Sequence, residues 1–206
     1  DLSFKNQKYF LDIINEVSKQ SFMPITVGGK IKTIYDIENR LKLGADKISI
    51  NTITFENKNF VTTAVKEFGS QCIVASIDYK KVNENNYSVF VNCGKKNIFE
   101  DPCDWAKHLE NLGVGEILLN SIDNDGAGKG YDIFNLKKIS STVRCPVIAC
   151  GGVGNWSDLK NCFENTNVDA VAAANIFQHT DQSVYHAKNY LYEKKLNVRK
   201  PNLIKI

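Results

Sequence analysis

Apolar residues along the chain gather into short β-branched runs separated by amphipathic stretches, and this rhythm predicts alternating strands and helices. Runs at 25–28, 47–51, 72–78, 115–123, 146–151 and 170–175 read as strands. None alternates cleanly, which predicts burial on both faces, as in a parallel sheet. Between them, helices are predicted at 33–43, stopping at Gly44, at 57–68, stopping at Gly69, and from Asp101-Pro102 to Gly113. Further helices are expected at 132–140, 156–164 and 182–196, and the chain opens at Asp1 already in a helix-like segment. The interval from 78 to 115 is too long for one βα unit. Within it, residues 87–92 alternate beside the polar stretch Asn83-Glu84-Asn85-Asn86, the pattern of a hairpin excursion. With no Pro/Gly/Ser-rich linker to interrupt it, the whole of 1–206 reads as one α/β domain of repeated βα units.

A longer repeat overlies this rhythm. Pro24-Ile25-Thr26-Val27-Gly28-Gly29 and Pro146-Val147-Ile148-Ala149-Cys150-Gly151-Gly152 stand 122 residues apart, each followed by a helix carrying Asp36 or Asp158. Downstream, Ala45-Asp46-Lys47-Ile48-Ser49-Ile50-Asn51 parallels Val168-Asp169-Ala170-Val171-Ala172-Ala173-Ala174-Asn175. The sequence reads as two related halves.

Composition narrows the function classes. Lysine and arginine number 26 against 23 acidic residues, a net charge of +3, so electrostatics gives no reason to expect nucleic-acid binding. No apolar run approaches the ~20 residues of a membrane span, and the polar residues 1–7 are no signal peptide, so a cytosolic protein is expected. Six cysteines contain no C-x-x-C pair and read as packed thiols.

In a parallel βα protein, the loops after the strands form the working face. Gly28-Gly29 and Gly151-Gly152 end strands where a phosphate could approach bare N–H groups; a tight turn explains either one alone, and the duplication strengthens the anion reading. Two such sites would suit a ligand with a phosphate at each end. Asp78, Asp123 and Asp125 also end strands, as acid/base candidates or as plain turn caps. Asp125 is the stronger, because Gly126, Gly128 and Gly130 follow it in a loop expected to be mobile. His108, His179 and His186 fall on helices or their edges, which disfavours a histidine triad or a histidine metal site.

The segments Thr26-Val27-Gly28-Gly29, residues 44–52, Phe68-Gly69-Ser70-Gln71, residues 115–123, Asp125-Gly126, Lys129-Gly130-Tyr131-Asp132 and Ala149-Cys150-Gly151-Gly152 closely resemble the HisF family, in order and along nearly the whole chain. These are the cyclase subunits of imidazole glycerol phosphate synthase. The resemblance implies a TIM (β/α)8 barrel that takes ammonia from a glutaminase partner to a bisphosphate ribonucleotide, giving imidazole glycerol phosphate and aminoimidazole carboxamide ribonucleotide, with no cofactor or metal. It implies one phosphate at Gly29, Lys30, Asn51 and Thr52 and the other at Gly151, Gly152, Ala174 and Asn175. It makes Asp125 the catalytic acid/base with Asp78 in support, two carboxylates of differently tuned pKa. Lys47 and Glu116 resemble members of a charged ammonia gate, Asp46 a contact to the glutaminase, and Thr26, Ser49 and Val74 the lining of the bore; salt-bridge structure and core packing are the plain alternatives.

Departures from the family are also visible. The alignment sets Asp1 at the end of the barrel's second strand, so strand one, its helix and most of strand two are expected to be lacking, in keeping with the ~250 residues of a typical barrel. Lys30 stands where the family's phosphate turn has a third glycine, Cys93 near a serine, and Asn120 in place of a threonine. Asn120-Ser121-Ile122-Asp123 and residues 148–152 also resemble HisF-like paralogues associated with surface-sugar amidation, and a non-catalytic scaffold for a glutaminase is a further alternative.

Overall fold

The computed structural model describes residues 4–84, 86–178 and 183–202. Helices and strands alternate along the chain, in two compact units: Asp1–Ser76 with His108–Ile117, and Ile77–Lys107 with Leu118–Ile206.

In the first unit, α1 (Phe4–Gln20) precedes β1 (Thr26–Gly28), α2 (Ile34–Lys42), β2 (Lys47–Ile50), α3 (Thr52–Glu56), α4 (Lys58–Phe68) and the start of β3 (Ile73–Lys81). β1 pairs with β2 and β2 with β3, both in parallel, with Thr26 opposite Lys47 and Ser49 opposite Val74. Two of this unit's helices begin where a polar side chain accepts a backbone N–H that lacks a helical partner. Thr33 and Asp36 form a reciprocal capping box on α2, and the Asn57 side chain accepts the Phe60 N–H on α4. α4 ends at Gly69, whose φ of 86° suits glycine.

In the second unit, the far half of β3 pairs antiparallel with β4 (Tyr87–Val91), Asp78 opposite Phe90, and β4 pairs with β5 (Lys96–Asn97). This is the expected hairpin; the Asn83 side chain accepts the Asn86 N–H at its turn, and Asn85 lies outside the described residues. α5 (Pro102–Asn111), β6 (Glu116–Ser121), α6 (Ile133–Ser140), β7 (Val147–Cys150), α7 (Trp156–Asn165), β8 (Ala170–Val171) and α8 (Val184–Glu193) complete the chain. β7 and β8 are parallel, Ile148 opposite Ala170.

Three sequence expectations need correction. The strands are not equally buried on both faces. Ile48, Ile50, Ile73, Ala75, Ile77, Tyr79, Ile117, Leu119, Val147 and Ala149 are all within 1 % of full burial, whereas Lys47, Ser49, Ser76, Asp78, Glu116, Asn120 and Cys150 on the alternate positions are half-buried. The first set of positions therefore carries most of the core; the alternate positions, Val74 apart at 2 % exposure, are mostly polar and only partly covered. The strand expected at 170–175 ends at Val171, because the alanines that follow have little strand preference; after the Ala172 N–H bonds the Ala149 carbonyl, the chain turns into a short 3-10 helix, Asn175–Phe177. The strand expected to reach Asp123 stops at Ser121, where Asn124 and Asp125 N–H groups fold back onto the Ser121 carbonyl. Among the described residues no helix is long and apolar enough to cross a membrane. His108 lies in α5 and His186 in α8, while His179 and Gln182 lie outside the described residues.

Candidate functional site

The internal repeat is reproduced in the bonds at its strand starts and helix caps. In the first half the Ile25 N–H donates to the Asp46 carboxylate at 2.7 Å and the Asp46 N–H returns to the Ile25 carbonyl; Val147 and Asp169 do the same in the second half, the first of these at 2.8 Å. The Asp36 carboxylate accepts the Lys32 and Thr33 N–H groups, and the Asp158 carboxylate those of Gly154 and Asn155. Asn51, at φ −129° and ψ −86°, has its counterpart in Ala174, at φ −126° and ψ −68°. Gly29 and Gly151 turn at φ 99° and 88°.

Parallel pairing sets Gly28 opposite Ser49, so Gly29 and Lys30 follow β1 at the same strand end at which Asn51 and Thr52 follow β2, Thr52 opening α3. A Cβ built on Gly29 would meet nothing within 4 Å, so the turn is open above it. Beneath it lies Arg40, 2 % exposed, whose guanidinium donates to the Gly29 carbonyl at 3.1 Å and to the Asp36 carbonyl at 2.8 Å. Burial lowers the Arg40 pKa while the Asp36 carboxylate opposes it; arginine stays charged regardless. Burial also works to raise the pKa of Asp36, but the Lys32 and Thr33 donors and Arg40 outweigh it and hold the carboxyl below its ordinary range.

In the second unit Gly151, Gly152, Ala174 and Asn175 line one cavity of about 330 Å³ together with Asp125 and Cys150. The glycine-rich segment after Asp125, expected to be mobile, is tied down: the Gly130 N–H donates to the Gly152 carbonyl at 2.8 Å and the Asn124 side-chain amide to the Gly130 carbonyl at 3.0 Å. A Cβ on Gly152 would lie 2.2 Å from the Gly130 carbonyl oxygen, and one on Gly154 2.4 Å from that of Gly128. Glycine here lets two loop backbones touch. The Tyr131 hydroxyl donates to the Ala172 carbonyl at 2.8 Å, bracing the loop after β8.

Asp78, on β3, accepts the Asn120 amide N–H at 3.3 Å. Burial, reinforced by the Asp125 and Asp78 carboxylates and countered by the Gly151 N–H, pushes the Cys150 thiol above its usual pKa. Both candidate carboxylates thus bear on one protonated thiol. Asp123 faces elsewhere, its carboxylate accepting the Lys81 N–H in a separate cavity of about 510 Å³ that also includes Tyr87 and Asp132.

At the opposite ends of the strands Lys47 and Glu116, the first residues of β2 and β6, form a half-buried ion pair. Asp46 sits beside Lys47 in sequence, its carboxylate occupied by Ile25 as described. Among the described residues no group of three or more His, Cys, Asp or Glu side chains is gathered closely enough to hold a metal ion. Sequence reasoning missed Arg40 and the roles of Cys150 and Tyr131. Arg40 had a signal: a charged residue three positions after buried Ile37, on the apolar side of α2.

Alternating strands and helices, a parallel sheet and glycine turns at the strand C-terminal ends define a protein of the (β/α)8-barrel class. Residues 1–183 match the sequence profile of the histidine biosynthesis protein family. The chain is 40 % identical over 195 residues to imidazole glycerol phosphate synthase subunit HisF of Bacillus cereus (strain G9842), covering 95 % of this chain and 77 % of that one. Subunits of the same name from Hydrogenobaculum sp. (strain Y04AAS1) and Alkaliphilus metalliredigens (strain QYMF) are 41 % and 37 % identical, each over 96 % of this chain and 78 % and 79 % of theirs. The chain belongs to this histidine biosynthesis family.

Proposed function

We infer that this protein acts as the cyclase subunit of an imidazole glycerol phosphate synthase, a lyase-type enzyme that uses ammonia from a glutaminase partner to convert a bisphosphate ribonucleotide to imidazole glycerol phosphate and aminoimidazole carboxamide ribonucleotide. The observation that carries the reading is the cavity after β7 and β8: Asp125 enters it beside a glycine turn whose geometry is repeated after β1, in a chain 37–41 % identical to subunits of that synthase. Gly151, Gly152, Ala174 and Asn175 take one substrate phosphate; Gly29, Lys30, Asn51 and Thr52 take the other. Asp125 moves the protons of ring closure, and Asp78, oriented by Asn120, supports it. Lys47 and Glu116 gate ammonia, and Asp46 lies at the glutaminase interface.

The test is turnover of the bisphosphate ribonucleotide with free ammonia. Wild-type protein should be active, and Asp125→Asn should lose ~10²–10⁴ in rate. Near-normal turnover in Asp125→Asn removes that residue from the mechanism. The Asn120 amide on Asp78, where the family carries threonine, favours a second reading as the ammonia-supplying subunit of a sugar amidation system. An inactive wild type supports that reading instead.

A further inference from the structure

The support beneath the first turn has no counterpart in the duplicated half. A guanidinium is costly to take out of water, and the molecule builds the corresponding turn of the other half without one. Stepping 122 residues along, Cys162 replaces Arg40, equally buried, and Gly152 replaces Lys30. The arginine therefore accompanies the lysine. Lys30 stands at φ 53°, a region that is strained for an L-residue and kept only where surrounding bonds over-determine it. Peptide planarity adds a second consequence, because the C=O and N–H of a trans peptide point in opposite directions. Drawing the Gly29 carbonyl onto Arg40 turns the Lys30 N–H away from the guanidinium.

We propose that Arg40 is a positioning residue for the anion turn at 28–30, holding Lys30 in its left-handed conformation and aiming the Lys30 N–H at a substrate phosphate. The nature of the substrate rests on the cyclase reading; the clamp does not. Loss of Arg40 is then felt in substrate affinity rather than in the chemical step.

Arg40→Lys and Arg40→Met are compared with wild type by KM and kcat for the bisphosphate ribonucleotide with free ammonia, by calorimetric titration with inorganic phosphate, and by Tm. Arg40→Lys, able to keep one of the two carbonyl bonds, should raise KM about tenfold with kcat within about twofold. One inorganic-phosphate affinity should fall by a similar factor. In a Lys30→Gly background the same change should shift KM less than about threefold, since glycine takes the turn unaided. Unchanged KM and phosphate affinity beside a lowered Tm overturns the proposal, as does an equal KM shift in both backgrounds. If Arg40→Met does not fold, Arg40→Lys decides. A wild type inert toward the ribonucleotide overturns the functional reading alone, and the phosphate titration then settles the role of Arg40. A wild type that also binds no phosphate overturns both.

Discussion

The turns after β1 and β7 both begin on a positive-φ glycine, Gly29 and Gly151, and diverge at the next residue, Lys30 at φ 53° against Gly152 at φ 112°; one stands on a buried arginine and the other on a second loop. In the first, Gly29 is open on its outer side and Arg40 grips its carbonyl from below. In the second, Gly152 and Gly154 lie so close to the 128–130 backbone that no side chain fits between them, and a cysteine fills the arginine's position. The means of holding such a turn is therefore separable from the positive-φ glycine that begins it. The capping aspartate and strand-end hydrogen bonds are common to both halves, while the residue at the third position of the turn decides what else is required.

The largest expected effect separates the two supports directly. Gly152→Ala carries a positive-φ penalty and a backbone clash and should destabilise the protein by about 3 kcal/mol or more in denaturant unfolding. Gly29→Ala carries only the conformational penalty, about 1–2 kcal/mol. Equal losses at the two positions would show that the 128–130 backbone does not crowd Gly152.

Next in size is the capping carboxylate of the first turn. Asp36→Asn should cost about 1–2 kcal/mol at pH 7, because it weakens the capping box and its link to Arg40. Asp36 is held below the ordinary carboxylate pKa, so its stabilisation is complete above the unfolded value of about 4 and disappears as pH falls through the lower folded value. Unfolding curves of wild type and Asp36→Asn should therefore approach one another as the medium becomes strongly acidic, and a gap that stays unchanged from pH 7 into strong acid would refute the assignment. Smallest is Lys30→Gly. Relief of the strained lysine, partly offset by the freedom glycine gains when unfolded, should stabilise the protein by about 0.5 kcal/mol, read as a small rise in Tm.

Much of this architecture was legible because most of the parallel strands are short apolar runs and five helices start at Thr33, Asn57, Asp132, Asn155 and Ser183, residues that cap by side-chain oxygen. The hairpin at 87–91 announced itself through its alternation. Strand ends were less legible, since where pairing stops depends on the neighbour: β3 runs on to Lys81 only because β4 lies against it. The duplicated turns were visible as paired glycines. Arg40 left only the faint signal of its place three residues after Ile37, because amphipathic patterning treats a charge as a solvent-facing residue; the carbonyl groups folded around it reveal its role. The linkage of Cys150 to Asp78 and Asp125 arises between residues far apart in the chain, which no local pattern records.

The two halves also differ by a single residue in spacing. Ile25 and Val147 are 122 apart, whereas the aspartates that close onto them, Asp46 and Asp169, are 123 apart. The surplus falls behind the turn, where α2 has 9 residues and α7 has 10. Both strand pairs nonetheless keep the same register, Thr26 on Lys47 and Ile148 on Ala170. Insertions on the return side of a helix are thus absorbed without being transmitted to the strand tips. Length variation in such a chain accumulates there, and a loop graft or tag placed in that stretch leaves the ligand end of the molecule undisturbed.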